Sequence, residues 1–425
     1  MAKKQIDLIA YSTDASMIEG NAISVVYPES AEQIRQIIAS SSGVTVRGGG
    51  SGLVGGAVPQ NCVVLDISKM NKILKFDEQK KEIEVEAGII LDELNNYLDK
   101  YGLEFPVKPS SHSICTIGGM ISTNAVGSRA IKYGRTSDWV SRLWVINGKG
   151  EIIEAGKTDM GDFTGMEGIT GIVFKARLKL LPKMQRSASL VGLDSLKEVH
   201  DLVMKLKIRE DVSAIEFLDK FISGLLGMND RYHVLIEYES EEGKMKGVEY
   251  DRLMNLRDEV YPTLASAGFT RIEDPKILIH KFIELAEFLQ DNKIPFFGHL
   301  GVGIIHPVFR KEQEELIREM IKNVKKLRGQ VSGEHGIGIA KKEFLELGDI
   351  KLIQRIKKRH DPFGKLNCGK VVDFEIEVVE PEIEEVGEKQ EVSEEETEIE
   401  TAETTEEEVN EVNNMEEVNN DNSNS

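Results

Sequence analysis

Segments with helical spacing of hydrophobic residues alternate with short β-rich segments along the first 180 residues of the chain. Helical spacing places Ile34, Ile37 and Ile38 on one side of segment 31–38, and a second helix is predicted over 90–100 with Leu91 and Leu98 on one side. Short β-rich runs between these segments predict strands over 44–47, 62–67 and 83–87. Segment 144–154 predicts a hairpin that turns at Asn147-Gly148. The pattern predicts an α+β domain over residues 1–186.

The pattern changes after residue 187, because glycine becomes rarer and helical and strand-like segments alternate. Amphipathic helices are predicted over 198–207 and 312–326, and strands over 232–239 and 294–300. We therefore predict a second α+β domain over 187–331. A C-terminal segment, 332–372, follows with a helix near 352–358.

The formal net charge of −20 over 425 residues argues against nucleic acid as a partner. The negative charge is concentrated in the last 55 residues. Residues 371–425 contain 22 Asp and Glu against the single Lys389, so residues 1–370, with 52 basic and 51 acidic side chains, are nearly neutral. The high like charge and the scarcity of aromatic residues predict a disordered acidic tail over 373–425. The tail is either a solubilising extension or a docking segment for a basic partner.

Three cysteines, Cys62, Cys115 and Cys368, show no CxxC spacing. This sparse, odd number fits a reducing compartment and argues against a disulfide framework or a cysteine-ligated cluster. No secretory signal is visible at the start of the sequence, and no apolar run approaches the ~18 residues of a membrane span. We expect a cytoplasmic protein, with peripheral association at the inner face of the membrane left open.

A glycine-rich loop follows the predicted strand over 44–47 and reads Arg-Gly-Gly-Gly-Ser-Gly-Leu-Val-Gly-Gly over residues 47–56. Without Cβ atoms such a chain can approach a ligand closely and present successive N–H groups to an anion such as a pyrophosphate. The loop matches neither GxxxxGK[ST] nor a clean GxGxxG, which disfavours a Walker NTPase or a Rossmann dinucleotide site. A flexible turn is the alternative for this loop by itself.

Two further segments have a similar amino-acid composition. Residues 109–139 are rich in Gly, Ser, Thr and Asn with little charge, and residues 165–173 read Gly-Met-Glu-Gly-Ile-Thr-Gly-Ile-Val. In this order the three segments resemble the flavoprotein family of vanillyl-alcohol oxidase and para-cresol methylhydroxylase. The likeness is greatest to its branch of D-lactate dehydrogenases, glycolate oxidase flavin subunits and D-2-hydroxyglutarate dehydrogenases, and it extends over residues 11–372.

The resemblance implies a two-part FAD-binding domain of the vanillyl-alcohol oxidase type, an α+β substrate or cap domain, and FAD as the cofactor. It also implies which residues contact FAD. In the first loop these are Arg47, Gly48, Gly49, Gly50, Ser51, Gly52, Gly55 and Gly56. In the second segment they are Thr116, Ile117, Gly118, Gly119, Asn124, Gly127, Ser128, Tyr133, Gly134 and Thr136. Further along the chain they are Glu167, Gly168, Gly171, Ile172, Val173 and Asn367.

Some members of that family attach FAD covalently through a histidine. His112 lies in the second segment, but its surroundings match no attachment motif, so we expect non-covalent FAD.

Two histidines and a carboxylate form a candidate metal site. His299 and His306 flank the glycines of His-Leu-Gly-Val-Gly-Ile-Ile-His, and Glu334 lies in Ser-Gly-Glu-His-Gly. Two imidazoles and one carboxylate with an open position suit Zn²⁺ or another divalent first-row metal. Spacing alone is weak evidence, because two histidines at this distance are more often unrelated.

The dehydrogenase branch carries His-x-Gly-Asp-Gly-Asn-x-His and Glu-His-Gly motifs at these places. The resemblance therefore implies that His299, His306 and Glu334 are metal ligands and that His335 is the catalytic base. Alkyl-dihydroxyacetonephosphate synthases, which are transferase relatives, have a histidine run where this chain has Ser-Gly-Glu-His. The chain departs from the motif at Val302 and Ile304, which replace its Asp and Asn and put metal affinity and substrate identity in question.

A 2-hydroxy acid needs a cation for its carboxylate, and Arg offers a bidentate fork. Leu256-Arg257-Asp258-Glu259 resembles the family segment that carries such an arginine, so Arg257 is the first candidate. A solvent-facing arginine on a charged helix is the alternative. Arg271 and Lys276 lie near a second family position for a cation.

The predicted function is FAD-dependent oxidation of a D-2-hydroxy acid, with D-lactate as the first choice, to the 2-oxo acid. The resemblance implies metal-assisted hydride transfer to flavin N5, and electrons then pass to a non-NAD acceptor. One alternative is the flavin subunit of a glycolate oxidase complex, whose iron–sulfur cluster must lie on another protein. The other is a catalytically degenerate flavin-binding interaction protein. An iron–sulfur protein, a quinone or a cytochrome is the expected acceptor, and an oligomer is compatible with the sequence.

Overall fold

The first sheet of the computed structural model, which describes residues 8–375, consists of parallel strands. Strands β1 (Asn21–Val26), β2 (Val44–Arg47) and β3 (Gln60–Asp66) lie in the order β1-β3-β2. Parallel strands require a crossover connection, and helix α1 (Ala31–Ser40) lies between β1 and β2. The Ser30 hydroxyl caps α1 by accepting the Gln33 N–H at 3.3 Å.

The second sheet is antiparallel and has five strands in the order β4-β5-β9-β7-β8. They are β4 (Ile73–Asp77), β5 (Glu82–Glu86), β7 (Val140–Asn147), β8 (Ile152–Ala155) and β9 (Gly171–Lys179). Helices α2 (Leu91–Asp99), α3 (Ile117–Thr123) and α4 (Ala130–Tyr133), with the short pair β6 (Leu103–Glu104) and β10 (Leu181–Pro182), complete this region. One core cluster contains Ile34 of α1, Leu65 of β3 and Val85 of β5, so the first two sheets share a hydrophobic core.

The third sheet has six antiparallel strands in the order β11-β13-β12-β15-β16-β14. They are β11 (Ser187–Leu193), β12 (Val212–Leu218), β13 (Tyr232–Tyr238), β14 (Arg271–Ile272), β15 (Phe296–His299) and β16 (Ile304–Phe309). Helices α5 (Leu196–Leu206), α9 (Phe282–Asp291) and α10 (Glu314–Lys326) pack on one face through a common core. Helices α6 (Lys220–Leu225), α7 (Val248–Asp258) and α8 (Val260–Ser266) precede β14.

After helix α11 (Leu347–His360) the chain returns to the first sheet. Leu366 forms a parallel bridge with Val44 of β2. Asn367 donates its backbone N–H to the Val44 carbonyl at 2.8 Å and accepts the Val46 N–H on Oδ1 at 2.9 Å. The C-terminal segment is thereby joined to the strand that leads into the glycine loop.

The predicted α+β class is confirmed, and the predicted helices and strands lie within a few residues of the observed ones. The sequence pattern did not predict helices α3, α4, α6, α7, α8 and α9. The N-terminus of α3 carries two glycines. Gly118 is required there because a Cβ would lie 2.8 Å from the Ala87 Cβ, so the helix packs directly against the chain that follows β5. The domain boundaries remain a prediction, and the tail predicted over 373–425 lies outside the described residues from 376 onward.

Candidate active site

The glycine loop leaves its own backbone donors free. None of the nine backbone N–H groups from Gly48 to Gly56 donates a hydrogen bond to any residue in the described range 8–375. A Cβ on Gly49 would lie 2.0 Å from the Ile114 carbonyl oxygen, and one on Gly48 would lie 2.3 Å from Thr116 Oγ1. The loop therefore lies directly against the second glycine-rich segment with a row of donors available to an anion, which fits a pyrophosphate.

A cavity of about 410 Å³ separates the loop from the third sheet. It brings together fifteen of the predicted cofactor residues: Gly48, Gly49, Gly50, Ser51, Gly52, Gly56, Thr116, Gly118, Gly119, Glu167, Gly168, Gly171, Ile172, Val173 and Asn367. On its other side lie Arg257, His299, His306, Glu334 and His335. The residues predicted to contact FAD and those predicted to act on the substrate thus face one space.

Nine predicted cofactor residues do not line the cavity: Arg47, Gly55, Ile117, Asn124, Gly127, Ser128, Tyr133, Gly134 and Thr136. Several of them hold the surrounding loops instead. Asn124 has a left-handed φ of 49° at the end of α3, and its Oδ1 accepts the Ser137 N–H at 3.0 Å. Thr136 Oγ1 donates to the Ala125 carbonyl at 2.8 Å. Sequence reasoning missed the lining residues Ser110, Ser111, Ile114, Cys115, Ser122 and Thr123, although all lie inside the segment that it singled out.

The candidate metal ligands come from one hairpin and one loop. Strands β15 and β16 form the hairpin, and Gly303 turns it with a φ of +74°, where a Cβ would lie 2.1 Å from the Ile277 carbonyl oxygen. The pairing of Phe297 with His306 places His306 diagonally across from His299 on the same face of the sheet. Glu334 reaches this face from the loop after β16 and α10.

These three side chains converge. Glu334 Oε1 lies 3.5 Å from His299 Nε2 and 3.1 Å from His306 Nε2. One ligand atom from each residue lies within 4.8 Å of the others, so the three side chains could hold a single cation.

The outer nitrogens of both imidazoles have partners of their own. His299 Nδ1 lies 2.6 Å from Glu216 Oε1, and His306 Nδ1 lies 3.3 Å from the Glu273 carbonyl oxygen. An acceptor at Nδ1 fixes the tautomer whose Nε2 lone pair points at a metal. The donor set therefore fits a divalent cation, with His299, His306 and Glu334 as the residues that would hold it.

The carboxylates around the two imidazoles favour a positive charge at this position. Burial opposes protonation of His299, but the carboxylates of Glu216 and Glu334 outweigh it and raise its pKa to about 9. Burial lowers the pKa of His306. Burial alone would raise the pKa of Glu334, yet the neighbouring imidazoles hold that pKa well below its usual value. An ionised carboxylate is thus kept inside a buried cluster.

His335 lies beside the cluster and points at the same carboxylate. Its Nε2 is 3.4 Å from Glu334 Oε1, and its ring stacks on that of His306 with centroids 5.1 Å apart. Its buried Nδ1 has no hydrogen-bond partner among residues 8–375 and lies 3.6 Å from Asp274 Oδ1. Burial opposes protonation of His335, but Asp274 and Glu334 raise its pKa. A titratable group is therefore oriented toward the cavity.

Asp274 anchors the loop that carries Glu334 and His335. Its Oδ2 accepts the backbone N–H groups of Gly333, Glu334 and His335 at 3.0, 2.6 and 2.6 Å. Its other oxygen forms an ion pair with the fully buried Lys341. Sequence reasoning missed Asp274, Lys341 and Glu216, because nothing local to their positions shows that they meet the motif residues.

The predicted substrate cations have different surroundings. Arg257, at the end of α7, lines the cavity, but its guanidinium pairs with Glu216 Oε2 at 2.9 Å and with Asp258 Oδ1 at 3.0 Å. Arg271 pairs with Glu273 at 3.0 Å, and neither Arg271 nor Lys276 lines the cavity. Arg257 therefore remains the candidate at the site, with its charge shared between two carboxylates.

Three other singled-out residues lie off the cavity. His112 pairs through Nδ1 with Asp92 at 2.7 Å, and its Nε2 lies 3.5 Å from Asp258 Oδ2. The chain departs from the motif at Ile304 and Val302. Ile304 is buried, and a Cβ on Gly333 would lie 2.7 Å from its side chain. Val302 lies in the turn before Gly303. Among residues 8–375, neither Val302 nor Ile304 is part of the cavity wall.

Comparison with known proteins agrees with this geometry. The family model of the FAD binding domain matches residues 22–156, and that of the C-terminal domain of FAD linked oxidases matches residues 248–371. A D-2-hydroxyglutarate dehydrogenase of Stutzerimonas stutzeri is 27% identical over 419 residues, covering 82% of this chain and 90% of its own.

Two further relatives are equally similar. A D-lactate dehydrogenase of Archaeoglobus fulgidus is 28% identical, covering 82% of this chain and 91% of its own. The glycolate oxidase subunit GlcD of Bacillus subtilis is 28% identical, covering 85% of this chain and 92% of its own.

No helix within residues 8–375 is long and apolar enough to span a membrane.

The glycine loop with free donors lies within the segment matched by the first family model, and the His/Glu cluster lies within the segment matched by the second. Both segments face one cavity. The chain therefore belongs to the FAD-linked oxidases and is an FAD-dependent oxidoreductase.

Proposed function

We propose that this protein oxidises a D-2-hydroxy acid, with D-lactate as the first candidate, to the 2-oxo acid and passes the electrons to a non-NAD acceptor. The observation that carries the proposal is the convergence of His299, His306, Glu334 and His335 on the cavity lined by the glycine loop. Relatives are named for D-lactate, D-2-hydroxyglutarate and glycolate, which are all 2-hydroxy acids, and this supports a 2-hydroxy acid as the substrate here.

FAD and a divalent cation would have separate tasks. FAD would be held non-covalently by the loop over 48–56 and the segments that face it, and it would supply a two-electron acceptor for the substrate Cα hydrogen. A divalent cation such as Zn²⁺ would be held by His299, His306 and Glu334, and as a Lewis acid it would lower the pKa of the substrate hydroxyl.

The chain's own residues orient the substrate and move its proton. His335 Nε2 accepts the hydroxyl proton, because it lies on the Glu334 side of the ring, where an oxygen close to the cluster would be within reach. Asp274, 3.6 Å from Nδ1, stabilises the imidazolium that results. Arg257 supplies positive charge for the substrate carboxylate at the cavity wall.

The flavin subunit of a glycolate oxidase complex is the second candidate, because one relative bears that name. Cys62 and Cys115 are buried and Cys368 is half-buried, and they form no metal-ligand group within the described part of the chain. An iron–sulfur centre would therefore belong to a partner. Co-purification of a cysteine-rich protein that accepts electrons from the reduced flavin would favour this candidate.

The test is anaerobic bleaching of the yellow holoprotein. We expect D-lactate to bleach the flavin and L-lactate to leave it oxidised. His335→Ala should retain FAD yet lose bleaching, whereas His200→Ala, which removes a histidine that contacts Asp201 on α5, should behave as the wild type. Dialysis against a chelator should stop bleaching and Zn²⁺ should restore it. Undiminished bleaching in His335→Ala would refute the assignment of the base.

A further inference from the structure

The face of the third sheet that carries the candidate metal ligands is polar at one end and apolar at the other. Directly paired residues share a face, so the pairs Glu216–His299, Leu218–Phe297 and Ile272–Val308 all lie on the same face as His306. Phe297 is paired with His306, and their ring centroids are 4.9 Å apart. The apolar end therefore begins at the candidate ligand itself.

This apolar end forms part of the cavity wall. Five residues of one hydrophobic cluster also line the cavity, and we call them the apolar wall: Leu53, Val260, Tyr261, Ile272 and Phe297. They come from the glycine loop, from α8, from β14 and from β15. Segments from both matched domains thus enclose a hydrocarbon surface beside His306.

The charges around the cavity leave no free cation for a second carboxylate. Among the described residues that line it, Arg257 is the sole Lys or Arg, and Glu216 and Asp258 already pair with its guanidinium. The carboxylates and histidines that line the cavity within the described residues are Glu167, Asp258, Glu334, His299, His306 and His335. A carboxylate on the substrate side chain would be desolvated against hydrocarbon with Asp258 nearby, which costs free energy.

We propose that the apolar wall is the subsite for the substrate side chain, and that the substrate is a monocarboxylic 2-hydroxy acid with a hydrocarbon side chain rather than a 2-hydroxy dicarboxylic acid. This inference rests on the proposed function and narrows it, since the relatives include enzymes named for both classes. Tyr261 and Phe297 are the specificity-determining residues, because they are the two aromatic side chains of the wall.

The test compares acids of matched shape on the holoprotein. D-2-hydroxy-5-methylhexanoate and D-2-hydroxyglutarate have the same number and branching of heavy atoms, but one ends in an isopropyl group and the other in a carboxylate. We expect kcat/KM for flavin bleaching to be at least about 100-fold higher for the hydrocarbon acid, the effect of burying an uncompensated charge. Calorimetric binding of the two corresponding 2-oxo acids should show the same order without any turnover.

A charge placed in the wall should reverse part of this preference. Tyr261→Arg should lower the ratio of the two kcat/KM values at least tenfold, whereas Tyr101→Arg, on a half-exposed tyrosine outside the cavity, should leave it unchanged. A wild-type protein bleached fastest by D-2-hydroxyglutarate would overturn the apolar subsite while leaving the proposed function intact. Bleaching by neither acid nor by D-lactate would overturn both.

Discussion

Glu216 Oε1 lies 2.6 Å from His299 Nδ1, although the two residues are 83 positions apart in the sequence. The contact arises because β12 and β15 are antiparallel neighbours in which Glu216 pairs directly with His299. Glu216 also pairs with Arg257, so one buried carboxylate joins the candidate metal ligand to the candidate substrate cation.

Glu216→Gln should therefore weaken metal binding. An amide holds the imidazole tautomer less firmly than a carboxylate, and loss of such an outer partner typically lowers metal affinity by about 10- to 100-fold. Competition for Zn²⁺ with a chromophoric chelator measures the change. Glu84→Gln is the matched control, because Glu84 pairs with Arg177 in the second sheet, away from the site. Equal Zn²⁺ affinity in both variants would contradict the role of Glu216.

Asp274→Asn should destabilise the protein and loosen the 332–335 loop. The amide leaves the buried Lys341 with Glu273 as its remaining ion-pair partner, and breaking a buried pair costs about 3–5 kcal/mol. Urea unfolding measures the loss. Adding Lys341→Met should recover part of it, because the uncompensated cation is gone.

Asp99→Asn serves as the control for that experiment, since its pair with Lys183 is exposed and contributes about 1 kcal/mol or less. If Asp274→Asn were no more destabilising than Asp99→Asn, Asp274 would not anchor the loop.

Gly49→Ala should impair FAD binding. Its Cβ would lie 2.0 Å from the Ile114 carbonyl oxygen, which is backbone and cannot move aside without shifting the second glycine-rich segment. Overpacking of this kind costs about 1–3 kcal/mol, so FAD affinity should fall roughly tenfold or more. Flavin fluorescence titration of the apoprotein measures it. Gly161→Ala, where no atom lies within 4 Å of the added methyl group, should bind FAD as the wild type does.

Lys370 should give the protein a stability gain at alkaline pH. Burial lowers its pKa from 10.5 to about 8, and its Nζ donates to Thr45 Oγ1 at 3.0 Å. Between these two pKa values the unfolded chain binds more protons than the folded one, so the free energy of unfolding rises with pH across this window. The contribution amounts to about 2–3 kcal/mol between pH 7 and pH 10.

Lys370→Met lacks this group. The free energy of unfolding of the wild type, relative to that of the variant, should therefore be higher at pH 10 than at pH 7 by about 2–3 kcal/mol. Urea titrations at both pH values, followed by circular dichroism, measure the shift. A difference that does not change with pH would mean that Lys370 keeps its ordinary pKa in the folded protein.

Much of the site was visible in the sequence because its parts are local. The glycine loop, the His-Leu-Gly-Val-Gly-Ile-Ile-His hairpin and the Glu334-His335 pair each lie within one short segment, and their residue types limit the chemistry available to them. The alternation of β-rich and helical segments likewise predicted the α+β class. The FAD-linked family could be identified at that level.

The tertiary structure alone decided which residues surround those parts. Period-two alternation assigns a residue to one face of a strand, but it does not say which strand lies alongside, and strand order is determined by packing of the whole sheet. Glu216 and Asp274 meet the motif residues because β12 lies beside β15 and because the loop after α10 folds back over β16. The same packing pairs Arg257 with carboxylates and places Phe297 and Ile272 beside His306, so substrate selectivity follows from contacts between segments distant in the sequence.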